Sequence, residues 1–426
     1  MKKFLALIIA LVMALSLVAC GEQKQPDTPD VPDDGQQTAT VKVGFITLHD
    51  ENSTYDLNFI NAAKEAIANL GLTDADYILK TNVPEGQECY ETAMNLVDEG
   101  CNIIFADSFG HEPYMIDAAK ENPDVQFCHS TGTRAHTEGL ANYHNAFASI
   151  YEGRYLAGIA AGMKLNEMIE AGEFTAEEAK MGYVGAFTYA EVVSGYTSFF
   201  LGARSVCPTV TMEVTFTGSW YDETLEKTGA ELLIDRGCKL ISQHADSLGA
   251  PTACENAGVP NVSYNGSTKD ACPNTFIVSS RIDWAPYYEM CIKAVMDGTE
   301  IPADWTGTLK TGSVVLTDVN ETVAAAGTAD AIKEAAAKLE AGEIHVFDCS
   351  TFTTKADDTM NAFKVDYLKV DADGHITSYL ADVDTDEAYT GDTEVVHDGY
   401  FSESEKRSAP YFDLQIDGIE LLNTAM

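Results

Sequence analysis

Positive charge is scarce in this chain of 426 residues: 26 lysines and arginines stand against 67 aspartates and glutamates, a formal charge of −41. That field repels a phosphate backbone and an anionic bilayer at long range, which argues against nucleic acid as a partner. Catalytic signatures are missing as well. There is no Gly-x-Gly-x-x-Gly after a strand pattern, no Gly-x-x-x-x-Gly-Lys-Ser/Thr loop, no Gly-x-Ser-x-Gly elbow and no His-Glu-x-x-His pair. His111-Glu112 starts like the last of these, but Pro113 follows and the second histidine is absent. Asp371-x-Asp373-Gly374 fails as a calcium loop, because its glycine comes too early and the closing glutamate is lacking. A tight turn accounts for it. No Cys-x-x-Cys pair is present, which removes the usual structural zinc site. The cysteines after Cys20 are scattered singly and outline no disulfide framework, although a bond such as Cys254 to Cys272 stays open. Nothing here calls for a cofactor, a metal or an enzymatic nucleophile.

What the chain does have is an export signal. "MKKFLALIIALVMALSLVACGEQ" opens with two lysines, continues as an apolar run of signal-peptide length and reaches small residues just before Cys20. The run is short for a full membrane span. Leu17-Val18-Ala19-Cys20 resembles the bacterial lipobox, whose cysteine becomes the acylated first residue of the mature protein. Residues 1–20 therefore read as a lipoprotein signal. Residues 21–40, rich in Pro, Asp, Gln and Thr without apolar periodicity, read as a flexible tether.

From Val41 onward, short β-branched runs alternate with amphipathic segments. "VKVGFITL", "ADYILKTNV", "CNIIFADS" and "VQFCHSTG" read as strands, and the stretches between them as helices. A second series of the same kind runs from "KMGYVGAF" to "VPNVSYNG". Continuous apolar strands joined by helices imply parallel sheets covered on both faces, so the fold class is α/β with two doubly wound domains. The first lobe is expected over 41–145 and 281–305, the second over 146–280 and 306–350. "DAIKEAAAKLEAGEIHVF" reads as a helix and a short strand closing the body. The alternation then stops. Residues 351–426 read as an acidic appendage with one hairpin around Asp373-Gly374, packed on the body or partly mobile.

Polar and aromatic residues collect where the predicted strands end: "HDENSTYD", "ADSFGHEP", "HSTGT", "GAFTYAE", "TGSWYDE", "QHADSLG", "SYNGSTK" and "SSRIDWAP". In parallel α/β sheets the ligand crevice lies beyond the carboxyl ends of the strands, so these clusters converge. Two such domains facing each other make a cleft suited to a flat molecule held by stacking and edge contacts. Each candidate also has a purely structural reading. Tyr55 and Phe187 either serve the core or meet a ligand. Asp107 and Ser108 either cap a helix or bond a ligand. Trp220, in a Gly-Ser-Trp-Tyr-Asp opening, suits ligand contact; Trp284, before Ala285-Pro286, suits ligand contact or hinge packing. His244 and Asp246 alternate at one strand end and share a face.

The lipobox, tether, two domains and strand-end clusters together resemble the basic membrane protein family of solute-binding lipoproteins, the purine-nucleoside-receptor type. The resemblance covers roughly residues 41–350 and is carried by "NVPEGQECYETAMNLVDEG", "YEGRYLAGIAAGM", "GSWYDE", "LISQHADS" and "DWAPYYEMCIKAVMDGT". Trp284-Ala285-Pro286-Tyr287-Tyr288 is similar to an element of the purine-base branch. The resemblance implies a type I periplasmic-binding fold with several hinge crossovers, no catalysis, and delivery of solute to the permease of an ABC transporter. It implies a monomer anchored to the outer side of the cell membrane through Cys20. In Asn52-Ser53-Thr54-Tyr55-Asp56 it gives Tyr55 the stacking position, and it places Asp246 in the cleft as the leading polar contact with His244 behind it. Asn265 stands where nucleoside receptors present an acid, and no lysine appears in "SSRIDW". Both departures favour a purine base such as adenine over a nucleoside. A flavin or another flat ligand, and a surface sensor or adhesion lipoprotein, are the alternatives.

Overall fold

The computed structural model describes residues 41–383 and 393–425. The signal sequence, Cys20 and the tether lie outside the described residues. Among those described, no helix is long and apolar enough to cross a membrane.

The first half of the chain runs β1 (Val43–Ile46), α1 (Thr54–Asn69), β2 (Tyr77–Lys80), α2 (Gln87–Asp98), β3 (Ile103–Ala106), α3 (Glu112–Glu121) and β4 (Gln126–Ser130). A short α4 (Ala135–Glu138) leads to β5 (Tyr143–Ala148) and the long α5 (Ile150–Glu170). The second half follows with β6 (Lys180–Gly185), α6 (Ala190–Val206), β7 (Thr211–Phe216), α7 (Glu223–Asp235), β8 (Leu240–His244), α8 (Gly249–Ala257) and β9 (Asn261–Tyr264). Then come β10 (Phe276–Ile282), α9 (Ala285–Asp297), β11 (Asp304–Gly307), β12 (Val314–Leu316) and α10 (Thr328–Glu340). Local chemistry sets these limits. Ser53 caps α1, its hydroxyl oxygen accepting from the Asp56 N–H, and Gly71 at φ 72° ends that turn in the left-handed region.

Two sheets result. The first has the order β11-β5-β4-β3-β1-β2 and is parallel throughout. The second contains β12-β10-β9-β8-β6-β7, parallel except for the β10–β12 pair, with one further strand beyond β7. The chain passes between the sheets after β5, after β10 and after β11. Helices α5 and α6 cross closely because glycines meet backbone there: a Cβ on Gly158 would overlap the Phe199 carbonyl, and one on Gly202 the Tyr155 carbonyl. Apolar clusters cover both faces of the first sheet, one around Phe105 and Trp284 and one around Phe127 and Met115.

The described part of the C-terminal segment packs on the body. It carries β13 (Leu368–Val370) and β14 (Ile376–Ala381), the antiparallel hairpin around Gly374, followed by β15 (Thr393–Glu394), β16 (Val396–His397) and β17 (Tyr400–Phe401). Its last strand, β18 (Ile419–Leu421), pairs in parallel with β7 and completes the second sheet at seven strands. Phe352, Tyr379, Phe401, Phe412, Leu414 and Ile416 are buried in the same core as Tyr183 and Met212. The strand expected over "IHVF" does not form, and Asp348 makes only a single bridge to Tyr400. All nine cysteines of the described residues, Cys254 and Cys272 included, are buried free thiols. They act as small core hydrophobes.

Candidate ligand-binding site

The carboxyl ends of the two sheets face each other across a recess lined by Leu48, Tyr55, Ser108, Phe109 and Thr131 from the first sheet's side. Glu191, Trp220, His244 and Asp246 line it from the second. Contacts cross the gap. The Thr54 N–H donates to the Asp246 carbonyl at 3.0 Å, the Phe109 and Tyr189 rings lie 5.5 Å apart, and His49 meets Tyr221 at 5.2 Å. With the lobes so disposed, the recess holds about 20 Å³, room for roughly one water. A ring-sized ligand therefore needs the lobes to part before they close on it.

The polar centre is Asp246. It is 4% exposed, and no donor among the described residues reaches its carboxyl oxygens; only its backbone is engaged, the N–H donating to the Trp220 carbonyl at 2.9 Å. Burial, reinforced by the negative charges of Asp56, Glu226 and Glu191, holds this carboxyl well above the usual carboxylate range. A buried acid left without a donor costs free energy that a ligand N–H can recover. The hydroxyl of Thr131 on the facing lobe is likewise buried without a partner. Thr131 takes φ 73° just past β4, a conformation that costs a β-branched residue. Two unsatisfied polar groups thus look into one recess from opposite walls.

Tyr55 and Trp220 supply aromatic surface to it. Tyr55 is fixed from behind: its hydroxyl donates to the Asp107 carbonyl at 2.6 Å and its ring rests on Phe59 at 4.8 Å. Trp220 is braced edge-on by Phe187 at 5.0 Å, and Phe187 in turn stacks on Tyr189. Ser108 is already committed, its hydroxyl donating to Glu85 at 2.5 Å.

Four of the sequence candidates lie elsewhere. Asp107 is buried beneath the wall, where one carboxyl oxygen accepts from the Leu48 N–H at 3.1 Å; it shapes the wall rather than facing the cavity. Phe187 backs Trp220 and does not reach the recess. Asn265, at φ 66°, donates its N–H to the Ser280 carbonyl and borders a separate cavity with Thr54, Arg281 and Asp283. Trp284 is 1% exposed and stacks on Phe59 at 4.6 Å; it is the N-cap residue of α9, and its indole belongs to the first lobe's core.

The recess also includes members of the strand-end clusters "QHADSLG" and "GAFTYAE" to which the family resemblance gives no ligand contact. His244 lines it directly rather than standing behind Asp246, as their shared strand face allows. Its Nε2 lies 3.3 Å from Glu191, and burial pulls its pKa down, which favours the neutral ring. Glu191 itself comes from the first turn of α6. An acid there reads as a dipole complement, so the sequence offered no separate signal for it.

Comparison with known proteins accords with this geometry. The chain is 33% identical over 262 residues to the purine-binding protein BAB2_0673 of Brucella abortus, an overlap of 61% of this chain and 70% of that protein. It is 35% identical over 216 residues to the putative ABC transporter glucose-binding protein TsgA13 of Haloferax volcanii, covering 50% of this chain and 51% of that one. An ABC transporter solute-binding protein of Aeropyrum pernix superposes with a TM-score of 0.61 at 18% identity, over 76% of this chain and 96% of its own. That likeness shows the fold, the type I architecture of periplasmic solute-binding proteins. Residues 44–348 match the profile of the Bmp family, described as ABC transporter substrate-binding protein PnrA-like, and the chain belongs to that family.

Proposed function

We propose that this substrate-binding protein captures a purine, with an adenine-like base favoured, on the outer face of the membrane and hands it to the permease of an ABC importer without chemical change. The observation that carries this reading is the buried, partnerless carboxyl of Asp246 in a recess walled by Tyr55 and Trp220. A purine presents a flat face to aromatic rings and N–H donors along its edge, the two features such a recess selects. Closing the lobes around it would bring the Thr131 hydroxyl to the opposite edge. The name of the Brucella relative, a purine-binding protein, agrees with this reading, and that of the Haloferax relative, a putative glucose-binding protein, makes a hexose the competing ligand.

A thermal-shift series with adenine, guanine, adenosine, glucose and riboflavin separates these readings. Ligand at about 100 times its Kd stabilises the folded state by about 2.7 kcal/mol, so adenine should raise the melting temperature by a few degrees. A rise with glucose or riboflavin and none with any purine would overturn the reading. We also propose that Cys20 anchors the mature protein through lipid. Mass measurement of the protein from native membranes should show an N-terminal Cys20 heavier by its acyl groups; an unmodified Cys20, or cleavage elsewhere, would refute the anchor.

A further inference from the structure

We propose that the cavity at the mouth of the recess is a second ligand compartment, which takes a neutral, largely apolar substituent carried by the purine. This rests on the purine reading above. The cavity measures about 540 Å³ and shares Phe109, Thr131 and Glu191 with the recess, so those three residues stand at the boundary between the two spaces. More than half of its wall lies beyond residue 348, where the family match ends. The compartment is therefore a feature this chain adds through its C-terminal segment.

That wall is built in place rather than loosely draped. β18 binds it to the second sheet, and the Asp304 carboxylate on β11 of the first sheet accepts from the Ser408 N–H at 2.7 Å and from the Ser408 hydroxyl. The segment therefore bridges both lobes beside the cleft.

Its surface chemistry sets the ligand class. Tyr189 and Phe109 face Met360, Phe363 and Pro410 across the cavity, with threonine hydroxyls between them. Phe363 is 68% and Phe109 39% exposed, two of only five large hydrophobic side chains left so open among the described residues. Exposed apolar surface gathered around a cavity marks a binding surface. The charges at the rim are already engaged. Lys364 pairs with Asp413 at 2.6 Å, Glu191 faces His244, and Arg407 donates to the carbonyls of Asp382, Ala409 and Pro410. Two acids and two bases balance here within a chain of charge −41. A phosphate or a carboxylate finds no uncommitted cation, whereas an aryl or alkyl group finds aromatic walls.

Isothermal titration of the full chain with adenine, N6-benzyladenine and 9-benzyladenine tests the proposal, the two isomers covering both directions in which the substituent could leave the recess. Burying a phenyl ring should make at least one substituted base bind about tenfold more tightly than adenine. The double variant Met360→Ala/Phe363→Ala, altered at one half-buried and one exposed side chain, should bring that base back to the affinity of adenine. Adenine itself should bind the variant as it binds the native protein. If adenine binds but neither substituted base binds more tightly, or if the gain survives the double substitution, the compartment is wrongly assigned and the purine reading stands. If adenine does not bind, the purine reading fails and the compartment with it.

Discussion

Asp246→Asn should raise the stability of the unliganded protein while removing most of its affinity for ligand. Both effects follow from one circumstance: the carboxyl is 4% exposed, no donor among the described residues contacts it, and three other acids press on it. Its folded pKa lies above its unfolded value near 4, so the folded state holds the proton more tightly. The stability linked to that proton is complete below about pH 4 and is lost as pH rises through the folded value. Asparagine has no charge to bury and escapes this loss, so the melting-temperature gain of the variant should widen from pH 5 to pH 8. Binding moves the other way. The carboxylate accepts ligand N–H groups with full charge, and an amide replaces one acceptor oxygen with a donor that opposes the ligand's own. Losing a charged hydrogen bond in a buried site costs about 2–4 kcal/mol, so affinity should fall roughly 100-fold. Differential scanning calorimetry and titration calorimetry on the same preparations read the two effects. An unchanged Kd would remove Asp246 from the ligand, and a lower melting temperature would mean that the carboxyl holds the fold together.

The same linkage shapes the whole molecule's response to pH. Burial pushes Glu152 and Glu226 up to about 7 and Glu403 up to about 8, so all three lose their contribution as pH rises through those values. Buried His111 and His144 are pulled down to about 4, and their contribution is lost only as pH falls below about 6.5. The stability maximum therefore belongs slightly on the acid side of neutral. Asp246→Asn should flatten the alkaline limb without moving the acid one.

The strand-end rule made much of this site legible. Once strands such as "LISQHADS" and "CNIIFADS" are placed in parallel sheets, Tyr55, Ser108, Trp220 and Asp246 must approach one another, and they do. Where the rule failed, tertiary packing overrode local appearance. Trp284 sits at a strand end like the others, yet its fate depends on Phe59 and Phe147, aromatic neighbours on distant elements. Asn265 turns aside because a left-handed residue redirects the chain after β9. Glu191 and Thr131 stand inside the strand-end clusters "GAFTYAE" and "HSTGT", but each had a nearer explanation, Glu191 as a helix-start acid and Thr131 as one more threonine after a strand. The C-terminal segment was opaque for another reason. Apart from the hairpin around Gly374, its described strands are two or three residues long, too short for a periodicity to register, so its apolar residues could not be told from scattered surface ones.

That opacity bears on what happens when the segment is removed. A chain ended at residue 350 should fail to fold into a soluble monomer, although the family match closes at residue 348. The reason is local to this sequence. Without β18, strand β7 becomes an edge with unpaired backbone groups, an aggregation template. The core also loses Phe352, Phe401, Phe412, Leu414 and Ile416 together. Each such loss costs about 2–5 kcal/mol, against a total stability of about 5–15 kcal/mol for an ordinary domain. The milder Phe412→Ala tests the same claim in a chain that still folds. Phe412 is fully buried and stacks on Phe347 at 4.3 Å, so its truncation should cost about 3–5 kcal/mol and lower the urea midpoint accordingly. A soluble 350-residue chain melting at the native temperature, with an unchanged midpoint for Phe412→Ala, would return the segment to the status of an appendage. The expected outcome instead makes it part of the second lobe's fold, which is why its far side can serve as a fixed wall beside the cleft.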